Sequence, residues 1–139
     1  VLADEYIRFL PENNHLFDGA FELLEYLKPK YNLHIITNGF QDVQNHKISN
    51  SNLMPYFKTI TNSESAGVKK PNPIIFDFAL KVAKASKSSS IMIGDCINAD
   101  VLGALNYGMD AILFSPVPQG LENKNIKQIN HLLDLKKHL

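Results

Sequence analysis

Short apolar runs alternate with amphipathic segments along most of the chain, and this alternation predicts strands and helices in turn. Four strands are predicted where brief apolar runs meet turn residues, namely Leu33–Ile36, Phe57–Ile60, Ile91–Ile93 and Ala111–Phe114. Helices are predicted between and after them, mostly from apolar residues at i, i+3, i+4 and i+7, beginning near Ala20, Gln41, Asn72, Val101 and Ile126. This order requires right-handed crossovers and favours an α/β fold with a mostly parallel sheet covered on both faces. Lys58 indicates that the second strand lies at a sheet edge.

The first ten residues have a helical pattern. Leu2, Tyr6, Phe9 and Leu10 form one apolar stripe with no capping residue ahead of it. We therefore expect a helix already under way at the first residue and a chain cut from a longer protein.

Composition and charge narrow the class of protein. The 139 residues fit one domain, and a hydrophobic share of 45% is ordinary for a soluble one. Fourteen basic residues balance fourteen acidic ones, so neither nucleic acid nor an anionic membrane is an expected partner. No apolar run approaches the roughly 20 residues of a membrane span, and charged residues interrupt any signal-peptide pattern. A single cysteine, Cys96, excludes an internal disulfide and fits a reducing compartment, so we expect a cytoplasmic protein.

Polar residues occur at two points where a predicted strand ends or a helix begins. Thr37-Asn38-Gly39 follows the first predicted strand, and its hydroxyl and backbone N–H groups suit an anion, although they also suit an ordinary helix N-cap. Lys70 precedes Pro71, which biases it towards extended geometry just before a helix. Its ammonium would lie beside a bound anion there, unless Lys70 is simply a solvated loop residue.

A pair of carboxylates marks a third point. Asp95 ends an apolar Ile-Met-Ile strand, and Asp100 lies in the first turn of the next helix. The helix macrodipole alone explains Asp100 but not Asp95. Carboxylates are suitable ligands for Mg²⁺. Because ligands bind outside the carboxyl ends of parallel strands, the three points should share one crevice that is equipped for phosphoryl transfer.

The three motifs, in this order, resemble those of the haloacid dehalogenase-like (HAD) hydrolase superfamily. They read Ile35–Gly39, Val68–Phe76 and Ile93–Asp100, and Gly103–Met109 is similar to the helix that follows in that family. The likeness runs from about Phe17 to the C-terminus. The Thr-Asn-Gly-Phe and Lys-Pro-Asn-Pro segments look like the pyrimidine 5'-nucleotidase-like branch.

The resemblance implies a three-layer Rossmannoid core and a phosphohydrolase of phosphate monoesters. Expected substrates are nucleoside monophosphates or other small phosphorylated metabolites, with Mg²⁺ as cofactor and an aspartyl-phosphate intermediate. The site residues that it implies are Thr37, Asn38, Gly39 and Lys70 for phosphate and Asp95 and Asp100 for the metal. Among these, Thr37 and Lys70 would take part in catalysis, and Asp100 would either bind the metal or orient Lys70.

The family's nucleophile lies in an Asp-x-Asp strand ahead of a helical cap, and this sequence contains no Asp-x-Asp. We therefore expect residues 1–14 to be the tail of a cap and residues 15–139 to be a partial core that lacks the first central strand and is inactive by itself. The strands ending at Thr37 and Asp95 should then pair directly, or exposed strand edges should cause self-association.

Two other functions remain open. A receiver-type signalling domain also groups Asp, Thr and Lys-Pro around Mg²⁺, but in a different order along the chain. A non-catalytic HAD-like fragment that acts in binding or interaction is the more serious alternative, because the nucleophile motif is absent.

Overall fold

The computed structural model describes residues 2–3, 19–38, 54–115 and 126–139. Its centre is a sheet of six strands in the order β3-β2-β1-β4-β5-β6, in which every pair is parallel. The strands are β1 (Leu2–Ala3), β2 (His34–Thr37), β3 (Thr59–Asn62), β4 (Ile91–Gly94), β5 (Asp110–Phe114) and β6 (Lys127–Ile129).

Helices connect these strands. The α-helices are α1 (Ala20–Leu27), α2 (Ser63–Ala66), α3 (Pro73–Ala83) and α4 (Gly103–Tyr107), and a π-helix, Ile97–Leu102, leads directly into α4. Short 3₁₀ helices span Met54–Tyr56, Lys87–Ser89 and Leu132–Lys137. α3 begins where the sequence predicts, because the Asn72 side chain accepts a hydrogen bond from the backbone N–H of Ile74 at 3.0 Å. None of the helices in the described ranges has the length and apolar character needed to cross a bilayer.

Two apolar layers cover the two faces of the sheet. Successive strand residues point to opposite faces, so Ile35 packs into one layer and Ile36 into the other. The first layer is formed with α1 and the C-terminal 3₁₀ helix, and the second with α3, the π-helix and α4. This is the three-layer α/β core that the sequence predicts, and the coverage of both faces explains why the strands read as continuous apolar runs.

Most predicted elements are confirmed. β3 begins two residues after the predicted start, and it is an edge strand as expected. The helix predicted near Gln41 falls outside the described ranges. The helix predicted from Ile126 is wrong, because the chain forms β6 and then a 3₁₀ helix. Ile126, the residue before β6, and Ile129, the last residue of β6, pack into opposite layers, so their spacing of three does not mark one helical face.

The centre of the sheet corrects two further expectations. Leu2 and Ala3 form a strand, not part of a helix. This strand occupies the central position between β2 and β4 that the sequence predicts to be missing, so β2 and β4 do not pair directly. Leu2 aligns with His34 and Met92, which gives the facing edges of β2 and β4 a hydrogen-bonding neighbour that they would otherwise lack. The sequence predicts a cap tail over residues 1–14, and the structure describes only Leu2 and Ala3 of that range. The boundary near residue 15 and self-association stay predictions.

Candidate active site

Polar residues lie along one edge of the sheet, where the parallel strands end. β2 ends at Thr37 and β3 at Asn62, and these two residues are register partners and are both buried. β4 ends at Gly94, and Asp95 follows directly. Open parallel sheets bind ligands outside such strand ends. This edge, called here the carboxyl edge, is therefore the candidate site.

A buried ion pair lies at the carboxyl edge. The Lys70 ammonium Nζ is 2.7 Å from Asp100 Oδ1, and the exposed fractions of the two side chains are 2% and 1%. The same ammonium donates to the backbone carbonyl of Ile36 at 3.2 Å. Because Ile36 immediately precedes Thr37, the positive charge of Lys70 lies at the end of β2.

The π-helix positions Asp100. The backbone N–H groups of Asp100 and Val101 both donate to the carbonyl of Cys96, at 3.0 and 3.2 Å. The second of these bonds spans five residues and widens this turn of the helix. The second carboxylate oxygen of Asp100, Oδ2, accepts the backbone N–H of Cys96 at 3.0 Å. Both oxygens of Asp100 are thus bonded to protein groups. The sequence correctly places Asp100 in the first turn of a helix, but it does not indicate the π geometry.

Gly94 makes room for this arrangement. A Cβ at Gly94 would lie 2.5 Å from both Cβ and Oδ2 of Asp100, a separation that real Cβ atoms do not adopt. Only glycine therefore lets the carboxylate lie against the end of β4. Sequence reasoning missed this role, although a glycine that ends a buried strand is a known sign of close approach.

Asn38 joins the first and second motifs through its side chain. Its Oδ1 accepts the backbone N–H of Lys70 at 2.8 Å, and its Nδ2 donates to the backbone carbonyl of Lys70 at 3.3 Å. The carbonyl of Asn38 in turn accepts the hydroxyl of Ser63, the first residue of α2, at 3.1 Å. The sequence indicates neither this side-chain contact nor any part for Ser63.

The structure thus brings together several of the residues singled out from the sequence. Lys70 contacts both Asn38 and Asp100, and Thr37 is buried at the end of β2, next to Asn38 in the chain. Asp95 follows β4 at the same edge, with its Oδ1 withdrawn from solvent. Gly39 lies outside the described residues. The catalytic, phosphate-binding and metal-binding roles given to these residues stay predictions.

The donor set at this edge fits Mg²⁺ better than a transition metal. Within the described ranges, no group of three or more His, Cys, Asp or Glu side chains could hold an ion. Mg²⁺ needs only one or two protein carboxylates, because waters and substrate phosphate complete its octahedron. Asp95 and Asp100 suffice for that number.

Curated relatives of the chain are hydrolases and phosphatases. The chain is 32% identical to the HAD-hydrolase YfnB of Bacillus subtilis over 98% of its own length and 62% of that protein. It is 33% identical to the pyrimidine 5'-nucleotidase PynA of Streptococcus pneumoniae, over 83% of the chain and 49% of the relative. The glyceraldehyde 3-phosphate phosphatase of Methanothermobacter thermautotrophicus is 37% identical over 70% of the chain and 43% of the relative. The chain therefore spans about half the length of these relatives.

Solved structures and a family model agree with the sequence comparison. A crystal structure of YfnB, described as bound to magnesium, superposes with a TM-score of 0.81 and 31% identity, over 90% of this chain and 55% of that one. The model of the family described as haloacid dehalogenase-like hydrolase matches residues 2–114. This match excludes the receiver-type alternative. The chain belongs to the haloacid dehalogenase-like hydrolase family.

Proposed function

We propose that the residues at the carboxyl edge form the phosphate-binding core of a Mg²⁺-dependent phosphomonoesterase. They are Thr37, Asn38, Lys70, Asp95 and Asp100. The observation that supports this most directly is the buried Lys70–Asp100 pair beside the end of β2. A fixed positive charge at a carboxyl edge suits a phosphate dianion, and a burial this complete is unusual for a lysine without a specific role. The names of the relatives, a nucleotidase and a sugar-phosphate phosphatase, fit a small phosphorylated metabolite as substrate.

Each residue then has a defined task. The Thr37 hydroxyl and the backbone N–H of Asn38 hold phosphate oxygens, and Lys70 balances the charge that builds up on them. Asp100 holds Lys70 in place, because one of its oxygens contacts the ammonium and the other the N–H of Cys96. Asp95 serves as the protein ligand of Mg²⁺, which when bound neutralises charge on the phosphoryl group.

The nucleophile is not among these residues. The family reaction needs an aspartate that attacks phosphorus and a second carboxylate that protonates the leaving group, and the sequence has no Asp-x-Asp. We propose that the 139-residue chain by itself turns over little or no substrate and that the complete gene product is the active phosphatase.

The test is phosphate release by the complete gene product. Candidate substrates are nucleoside monophosphates and glyceraldehyde 3-phosphate, each assayed with and without Mg²⁺. Asp95→Asn should lower kcat/KM by about 100-fold or more, as expected when a main electrostatic contact to the phosphoryl group is lost. Asp110→Asn is the matched control. Asp110 is exposed and is the first residue of β5, so it lies at the amino-terminal ends of the strands, away from the carboxyl edge. Turnover that is independent of Mg²⁺, or equal in the two variants, would remove the metal assignment.

The absent Asp-x-Asp also favours a second candidate, a non-catalytic phosphate-binding domain. The phosphatase and the binding domain differ in turnover, because a binding domain binds phosphate esters without releasing inorganic phosphate. If the complete gene product binds inorganic phosphate, loses that binding in Lys70→Met and releases no phosphate from any ester, the second function replaces the first.

A further inference from the structure

The amide of Asn38 contacts both backbone polar groups of Lys70. Lys70 N–H donates to Oδ1 at 2.8 Å, and Nδ2 donates to the Lys70 carbonyl at 3.3 Å. Among the side chains of this size, only an amide combines a donor and an acceptor in this geometry, because aspartate lacks the donor and leucine lacks both. The contact joins residues 32 positions apart, so it is tertiary and not part of a local turn.

Asn38 is itself tied to a neighbouring strand end. Its carbonyl accepts the hydroxyl of Ser63, which begins α2 directly after β3. A continuous series of hydrogen bonds therefore runs from Ser63 through Asn38 and Lys70 to Asp100. It links the segments that follow β3, β2 and β4.

The position of the Lys70 backbone sets how its ammonium meets its partners. The four-carbon side chain must reach Asp100 at 2.7 Å and the Ile36 carbonyl at 3.2 Å while almost completely buried. A displacement of about 1 Å at a catalytic group can cost roughly 100-fold in rate. A residue that fixes the Lys70 backbone at both its N–H and its carbonyl therefore controls where the charge lies.

We infer that Asn38 is a positioning residue. Its side chain holds the Lys70 backbone where the Lys70 ammonium can contact Asp100 and the end of β2. This role is separate from the phosphate contact proposed for the backbone N–H of Asn38, which Asn38→Ala would keep. The inference rests on the proposed function only in taking Lys70 as the cation of the phosphate site.

The test measures the reactivity of the Lys70 amine in the folded 139-residue chain. Limited acetylation followed by mass spectrometry gives the modification rate of Lys70 relative to that of the exposed Lys69 beside it. Asn38→Ala should raise this ratio about tenfold or more, because the loss of both hydrogen bonds to the Lys70 backbone favours local opening around Lys70. Asn38→Asp keeps the acceptor for the Lys70 N–H and should give an intermediate ratio.

Asn72→Ala is the matched control. Asn72 lies in the same loop, and its side chain bonds a backbone N–H at 3.0 Å, but that N–H belongs to Ile74. The control removes a helix cap, so it should lower stability, but it should leave the Lys70 ratio within about twofold of wild type because the lost bond does not involve Lys70. Equal ratios in Asn38→Ala and Asn72→Ala would overturn the inference, and if Asn38→Ala does not fold, a wild-type ratio in Asn38→Asp would do the same.

Amine modification needs no substrate, so this result is independent of the phosphatase proposal. A gene product without phosphatase activity would refute the proposed function and leave the Lys70 ratios unchanged. In an active gene product, Asn38→Ala should lower kcat and leave KM nearly unaltered. A change confined to KM would instead mean that the side chain contacts substrate, which contradicts a positioning role.

Discussion

Lys70 and Asp100 form a contact of 2.7 Å between a buried ammonium and a buried carboxylate, 30 residues apart in the chain. Removing two charges from water is costly, and their mutual attraction offsets this cost only while both are present and well oriented. The pair is therefore better explained by the need for a positive charge at this position than by a gain in folding stability. The loss of either side chain would leave the other as a buried charge without a counterion.

Removing one partner should be more harmful than removing both. Asp100→Asn leaves the Lys70 charge buried without its counterion and should lower the free energy of unfolding by about 3–5 kcal/mol. The double variant Lys70→Met/Asp100→Asn should be more stable than Asp100→Asn alone. Urea denaturation provides the measurement. Lys81→Gln is the control, because Lys81 pairs with Asp77 at the surface and its loss should cost less than about 0.5 kcal/mol. Additive effects of the two site substitutions would contradict this explanation.

A side chain at Gly94 should displace Asp100. In Gly94→Ala the new Cβ would lie 2.5 Å from Asp100, so we expect Asp100 to move and its contact with Lys70 to be disturbed, at a loss of about 3 kcal/mol. Gly67→Ala is a useful comparison, because φ at Gly67 is +78° but its Cβ would meet no atom within 4 Å. That substitution should cost only about 1–2 kcal/mol, the penalty of left-handed backbone. Equal losses in denaturant unfolding would show that Asp100 is free to move.

The stability of the chain should depend on His34 below neutral pH. Burial, followed by nearby positive charge that includes Lys58, lowers the pKa of His34 from 6.5 to about 4, and Nδ1 of its ring contacts Thr59 Oγ1 at 2.7 Å. Between these two values the unfolded chain binds more protons than the folded one, so the free energy of unfolding rises with pH in this window and falls as pH drops towards 4. The full effect on the free energy of unfolding is at most about 3.4 kcal/mol.

The measurement for this prediction is urea unfolding at several pH values between 4 and 7. His34→Gln should flatten the pH dependence in this window. A slope that survives in His34→Gln would assign the pH dependence to other groups.

Two threonines of β3 should respond oppositely to the same substitution. Thr61 is 1% exposed, and its hydroxyl has no hydrogen-bond partner among the residues that the structure describes. Thr61→Val should therefore be neutral or stabilise by up to about 1 kcal/mol, since it removes an unsatisfied polar group at constant shape. Thr59→Val should destabilise by about 1 kcal/mol, because it removes the contact with His34. Thermal unfolding of both variants provides the measurement. A loss of stability in Thr61→Val as large as that in Thr59→Val would contradict the conclusion that the Thr61 hydroxyl is unsatisfied.

The sequence predicts the position of each motif better than the contacts among them. Thr37 and Asp95 each follow an apolar run, and in an all-parallel sheet that alone places them at one edge. The pairing of Lys70 with Asp100 was expected only as one of two roles implied by a family resemblance. No local sequence pattern predicts the contact between Asn38 and Lys70, because this contact depends on how two segments 32 residues apart approach each other.

The shortest elements were the hardest to predict. β1 and β6 have two and three residues, which is too few to show a period of two. The sequence pattern therefore places Leu2, and Ile126 just before β6, in helical stripes with later apolar residues. Tertiary pairing decides both cases, since β1 is held by two neighbours and β6 by β5.

The two-residue strand β1 also bears on the order of folding. Leu2 aligns with His34 and with Met92, so its pairing closes loops of about 30 and 90 residues in exchange for few hydrogen bonds. The pairs β2–β3 and β4–β5 join segments much closer in the chain and should form earlier. We expect the middle of the sheet to assemble last and to open first, so that amide hydrogens of β1 exchange with solvent faster than those of β4. The sheet would then form as two halves, β2–β3 and β4–β6, before β1 joins them.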